Sequence, residues 1–167
     1  MNIVLCGFMG CGKSTVGKRL AAETGFTLVD MDTYIEEAAG MTVSDIFAAE
    51  GEASFRAREH AACVTLGKQD RLIIATGGGA VLREDNVTAL RHGGTIVWLR
   101  VTPETVLRRL EGDTTRPLLM REDKEQAVRE LMTARDSLYA AAADVTVDAD
   151  GDAENICAAI LAAVCAG

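Results

Sequence analysis

Ile3-Val4-Leu5-Cys6 runs directly into Gly7-Phe8-Met9-Gly10-Cys11-Gly12-Lys13-Ser14, an apolar run followed by a complete G-x-x-x-x-G-K-[ST] pattern. The run predicts a strand, and the residues from Lys13 onward predict a helix, so the glycine-rich segment is the turn between them. In that context successive backbone N–H groups surround a phosphate at a helix N-terminus. Gly7, Gly10 and Gly12 allow backbone angles and a close approach that side chains would obstruct. Lys13 then reaches the outer phosphates of a nucleotide, and the Ser14 hydroxyl is placed to ligate Mg²⁺. Gly10, Cys11, Gly12, Lys13, Ser14 and Thr15 are the expected nucleotide contacts at this loop. Cys11 reads as a small residue at a variable loop position rather than a nucleophile.

Outward from that stretch, apolar runs at 3–6, 27–29, 72–75, 95–99 and 145–147 alternate with helix-forming segments. The helices are expected at 13–23, 33–39, 43–67 with a break near Gly51, 84–91, 103–110, 124–142 and 153–165. Such alternation predicts an α/β fold around a parallel sheet. The 167 residues fit one domain, 1–167, with the stretch 112–123, polar and interrupted by Pro117, as a mobile loop.

Composition removes several classes of function. A net charge of −8 argues against a nucleic-acid partner. The longest apolar stretch, 156–164, has nine residues against the ~20 of a membrane span, so no membrane partner is expected. Five cysteines without a C-x-x-C pair, and no secretory leader ahead of the first strand, suit a cytoplasmic protein. His60 and His92 lack metal-ligand spacing and read as surface groups, so the expected metal is Mg²⁺ arriving with the nucleotide.

A phosphate-binding loop needs an acidic partner for its Mg²⁺. The strand at 72–75 runs into Thr76-Gly77-Gly78-Gly79 without an acid, which predicts that it presents backbone and hydroxyl to a ligand. The strand at 27–29 ends in Asp30-Met31-Asp32, and a period of two predicts both carboxylates on one side of the sheet's C-terminal edge. By reach, Asp30 orients Mg²⁺ through water, and Asp32 holds an acceptor hydroxyl, orients it for in-line attack and takes its proton. The competing reading has Asp30 capping the next helix and Asp32 as a solvated first-turn acid.

The motifs GFMGCGKST, D-x-D at 30–32, GE-x-x-FR at 51–56, TGGGAV at 76–81, T-R-P-L-L at 115–119 and R-x-x-x-Y at 135–139 together resemble shikimate kinase. The likeness extends over nearly the whole chain, in order. It implies a three-layer α/β/α P-loop kinase with a five-stranded parallel sheet of order 2-3-1-4-5, substrate-binding helices at 33–67 and a mobile lid at 112–123. The implied activity is transfer of the γ-phosphoryl group of ATP to the 3-hydroxyl of shikimate by a monomer. Carried over residue by residue, Asp32 holds shikimate hydroxyls and Asp30 lies near Mg²⁺. Arg56 and Arg135 grip the substrate carboxylate, and the backbone of Gly78 and Gly79 walls the pocket. Arg116 closes over the phosphates, while Arg109 packs against adenine. Lys13, Asp32 and Arg116 are the implied catalytic set.

The residues agree with that likeness on chemical grounds: an arginine fork binds a carboxylate with two directed hydrogen bonds, which lysine does not reproduce. Glu59 is placed to orient Arg56, Arg58 reads as a surface charge, and Phe47 and Phe55 either wall the pocket or fill the core. Gluconate kinases and nucleoside monophosphate kinases share the first loop. A GTPase is disfavoured because no N-K-x-D sequence selects guanine. A catalytically silent regulatory module would be expected to have lost Lys13, Asp32, Arg116 or Arg135, all of which are present.

Overall fold

A computed structural model describes residues 1–111 and 122–165. Its five strands are β1 (Asn2–Cys6), β2 (Thr27–Asp30), β3 (Leu72–Ala75), β4 (Gly94–Arg100) and β5 (Val145–Asp148). They form one sheet of order β2-β3-β1-β4-β5, and every pairing is parallel. The described helices are α1 (Lys13–Thr24), α2 (Met31–Ala39), α3 (Val43–Gly67), α4 (Glu84–Arg91), α5 (Pro103–Arg109), α6 (Lys124–Ala142) and α7 (Ala153–Cys165).

The central strands are buried on both faces, as apolar runs in a helix-covered parallel sheet must be. All of β1 and β3 is buried. Alternate residues feed two cores: Ile3, Leu5, Ile73, Val97 and Leu99 pack with Val16, Leu20, Val106, Val128, Ile156 and Ile160. Val4, Cys6, Ile74, Ile96 and Trp98 pack on the opposite face with Met31, Ile46, Cys63, Leu66 and Leu90. Full burial of each such Ile, Leu or Val contributes about 1.5–3 kcal/mol relative to exposure, so the sheet interior is the rigid platform on which the loops stand.

From β1 the chain fills one side of the sheet with β2 and β3 and then crosses to the other for β4 and β5, so β1 lies between β3 and β4 and the C-terminal edge opens into a crevice at this reversal. Ligands of open α/β sheets bind there. Two glycine-rich segments leave that edge side by side, residues 7–12 after β1 and residues 76–79 after β3, with Leu5 paired to Ala75 at their roots.

Two details differ from the sequence expectation. Helix α2 begins at Met31, two residues earlier than expected, because Asp30 caps it: its Oδ1 accepts from the Thr33 N–H at 3.1 Å. Helix α3 carries its break at Gly51, whose φ of 85° and ψ of 171° lie in a region essentially restricted to glycine. Among the described residues no helix is long and apolar enough to cross a membrane.

Candidate active site

The phosphate-binding loop is built as its sequence requires. Gly10 and Gly12 have φ of 77° and 93°, and Gly12 stands at the N-cap of α1 with no side chain capping the helix. No acid occupies the first turn of α1, so its free N–H groups and the positive end of its dipole face outward as an anion site. A cavity of about 230 Å³ there is lined by Met9 to Thr15 and Leu110. The Lys13 Nζ donates to the Gly7 carbonyl at 2.6 Å, which holds the ammonium over the loop. Cys11 is fully buried, its N–H donating to the Phe8 carbonyl at 3.1 Å.

Arg109, at the end of α5, lies on the outer side of the loop. Its guanidinium donates to the carbonyls of Gly10, Ala149 and Gly151 at 3.2, 2.7 and 3.1 Å. It lines a cavity of about 180 Å³ with Cys11, Gly12, Thr15 and Ile156. The three carbonyl contacts tie the phosphate loop to the β5–α7 connection.

On the inner side of the loop lies a cavity of about 380 Å³. Its lining brings together Lys13, Ser14, Asp30, Asp32, Arg56, Gly77, Gly78, Gly79 and Arg135, with Phe55 and Glu59 behind them. The two carboxylates share this cavity for a different reason than strand alternation. Asp30 ends β2 while Asp32 already sits in the first turn of α2, so helix geometry directs the Asp32 side chain inward. Asp30 both caps the helix and faces the cavity, so capping and lining coexist. Burial, followed by the nearby charge of Asp30, holds the Asp32 carboxyl above the usual carboxylate range, while Lys13 and Arg56 oppose that shift.

The glycine triplet explains itself by distance. A Cβ at Gly77 would stand 2.9 Å from Asp32 Oδ1, one at Gly78 3.4 Å from Arg135 Nη1, and one at Gly79 2.8 Å from Arg56 Nη1. Gly77 and Gly79 therefore make room for one polar group each, while at Gly78 the guanidinium stands at ordinary contact distance. Arg56 is held by Glu59, with Nη1 to Oε1 at 3.0 Å, and its guanidinium stacks over the Phe55 ring at 5.4 Å. Glu59 is only 1% exposed, and burial raises its carboxyl against the opposing pull of Arg56. Phe55 is both cavity wall and core, with the half-exposed Phe47 against it at 4.8 Å. Arg58 pairs instead with Glu50 outside the cavity.

Three further groups fix the glycine segment, and sequence reading missed their roles. The Thr76 hydroxyl donates its proton to the Leu5 carbonyl at 3.0 Å while the residue still lines the cavity. Buried Asn86 donates to the Ala80 carbonyl at 2.9 Å and is itself bonded to His60 Nδ1 at 2.8 Å. His60 is thus a structural partner of the wall, not a bare surface group. The Tyr139 hydroxyl donates to the Gly78 carbonyl at 2.7 Å. Arg116 lies outside the described residues, as does 112–121 of the expected lid.

The site places a phosphate cradle, a half-buried carboxylate and two guanidinium groups around one small cavity, an arrangement able to hold a phosphorylated nucleotide against a hydroxylated acid. Comparisons with known proteins point the same way. The family model described as shikimate kinase matches residues 9–165. A shikimate kinase of Chromohalobacter salexigens is 48% identical over 149 residues, covering 89% of this chain and 83% of that protein. One from Moorella thermoacetica is 48% identical over 151 residues, covering 90% and 86%. In structure, shikimate kinase from Acinetobacter baumannii in complex with shikimate superposes with a TM-score of 0.90 at 38% identity, covering 99% of this chain and 93% of that one. A gluconokinase from Sinorhizobium meliloti superposes at a TM-score of 0.59 and 17% identity, a likeness of fold alone.

Proposed function

The chain belongs to the shikimate kinase family, and from that premise we propose that it transfers the γ-phosphoryl group of ATP to the 3-hydroxyl of shikimate, giving shikimate 3-phosphate and ADP. The observation that carries the proposal is the single cavity shared by Lys13 and Ser14 on one side and Asp32, Arg56 and Arg135 on the other.

Shikimate is a small ring with one carboxylate and three hydroxyls. Arg56 and Arg135 take the carboxylate, each through a guanidinium fork. Asp32 accepts from the ring hydroxyls at the other end, orients the 3-hydroxyl toward the γ-phosphorus and receives its proton as the new P–O bond forms. A carboxyl pushed above its ordinary range is a better base than a free one. Lys13 binds the β- and γ-oxygens, and the N–H groups of residues 10–15 hold the β-phosphate, so negative charge is stabilised as the β–γ bond breaks. Arg109 packs beside adenine. Arg116, carried by a lid at 112–123, closes over the transferred group and excludes water, which would otherwise compete with the acceptor.

The donor set fits Mg²⁺. Ser14 and Asp30 are hard oxygen donors on the cavity wall beside Asp32, and among the described residues no group of three His, Cys, Asp or Glu is built to hold a metal ion by itself. That is the donor pattern of an ion that arrives with nucleotide and keeps waters. When bound it supplies charge neutralisation on the phosphate oxygens, with the Ser14 hydroxyl as direct ligand and Asp30 acting through water. The protein works as one domain and a monomer in the cytoplasm, where the buried thiols of Cys6, Cys11, Cys63 and Cys157 stay free. A net charge of −8 gives nucleic acid no foothold.

The test is product identity. Incubation with MgATP and shikimate is expected to give a single phosphomonoester at O3 by ³¹P and ¹H NMR. Phosphorylation at another hydroxyl, or none, refutes the assignment.

A further inference from the structure

Arg135 and Tyr139 stand one turn apart on α6, so both side chains leave the same face of the helix. Tyr139 is 1% exposed, and its ring stacks on Trp98 of β4 with centroids 6.0 Å apart. Its hydroxyl donates to the Gly78 carbonyl at 2.7 Å. A Cβ placed on Gly78 would lie 3.4 Å from Arg135 Nη1 and 4.0 Å from that hydroxyl. Phenol, guanidinium and glycine backbone therefore converge on one point of the cavity wall. Burial pushes the phenol up to about 12, so it remains protonated, and a donor, across the working pH range.

The wall needs an anchor at this point. Thr76 holds one end of the glycine segment through Leu5, and Asn86 holds the other through Ala80. Between them three successive glycines have no side chains to pack and the widest backbone freedom of any residue. Among the described hydrogen bonds, the one from Tyr139 fixes the middle. Peptide planarity then carries the effect across the bond: with the Gly78 carbonyl turned toward Tyr139, the Gly79 N–H in the same trans peptide points the opposite way.

We infer that Tyr139 is a positioning residue for phosphoryl transfer: by anchoring the Gly78 carbonyl it turns the Gly79 N–H into the acceptor cavity and sets Arg135 at its working distance from the glycine wall. The inference rests on the shikimate reading of that cavity. It predicts a selective defect, because the anchored elements all lie on the acceptor side, while the phosphate loop is held by other contacts.

Tyr139→Phe tests it, since the ring and its stacking on Trp98 remain and only the hydroxyl is lost. We expect kcat/KM for shikimate to fall at least tenfold while the KM for ATP changes less than twofold. Calorimetric titration with ADP, expected to give unchanged affinity, shows that the variant is folded. Trp98→Phe is the second variant; it thins the core but keeps the hydroxyl, and is expected to retain shikimate kinetics within about threefold. Wild-type kinetics in Tyr139→Phe, equal losses toward both substrates, or an equal shikimate defect in Trp98→Phe each overturns the inference. An unmutated protein that does not phosphorylate shikimate refutes the functional reading instead, before any variant is compared.

Discussion

Gly79→Ala isolates the acceptor half of the site with one methyl group. The added Cβ would stand 2.8 Å from Arg56 Nη1, 3.2 Å from Nη2 and 3.3 Å from Cζ, the first of these about 0.6 Å inside ordinary contact. The chain does not adopt a left-handed angle at Gly79, where φ is −103°, so the backbone accepts alanine without strain. Relief must come from the guanidinium, which is the free end of a long side chain. Its present place is set by the 3.0 Å pair with Glu59 and the stacking on Phe55, and moving away from Gly79 disturbs both. Misplacement of a substrate-orienting group approaching 1 Å costs on the order of 10² in rate. Steady-state kinetics on Gly79→Ala should therefore show kcat/KM for shikimate about 100-fold lower, with the KM for ATP unchanged and Tm within a few degrees of the parent. Wild-type efficiency toward shikimate would mean that Arg56 does not bind the acceptor from where it stands. A matching loss in ATP affinity would mean that the glycine wall serves both substrates.

Asp32→Asn is expected to abolish turnover and yet raise Tm at pH 7. The folded-state pKa of Asp32 lies above its unfolded value of about 3.9, so stability falls as pH rises through the interval between them and the charged group remains a burden above it. Thermal melts against pH should show the gain of the variant vanish below about pH 4; a gain that persists there would refute this cause. Glu59→Gln keeps the shape and an acceptor for Arg56 but removes the buried charge. Because Arg56 is 31% exposed and also meets Glu52 at 3.6 Å, it is not stranded. Its expected readout is a shikimate KM about tenfold higher with little change in kcat or Tm, and an unfolded variant would contradict it. Arg116→Ala should lower kcat by roughly 10³ and raise the shikimate KM far less, the signature of a group acting on charge in the transition state; a normal kcat would remove that role.

The fold was legible because its sheet is parallel and buried: five short apolar runs, each cut by a turn, leave few alternatives, and all five recur as strands. Gly51, Gly12 and Pro103 marked their breaks and helix starts for local reasons that a sequence displays. The placement of Asp32 was reached by the wrong route. Strand periodicity was extended two residues too far: Asp30 caps α2 at once, as the competing reading has it, but the first-turn Asp32 lines the cavity instead of standing in solvent. What the sequence hid were contacts between distant residues that carry no motif. Asn86 with Ala80 and His60 is the clearest, since an asparagine at the start of a surface helix has no local mark of burial. Tyr139 had a partial signal, its spacing of four from Arg135, but its hydrogen bond spans 61 positions. Arg109 reaches Gly10 across 99.

The account stands on acceptor choice, and ATP-dependent ADP release measures it directly. Purified protein with MgATP should release ADP rapidly with shikimate and at no more than the acceptor-free rate with gluconate or AMP. Turnover with AMP or gluconate but not with shikimate would contradict the assignment of Asp32, Arg56 and Arg135 to a hydroxylated ring acid.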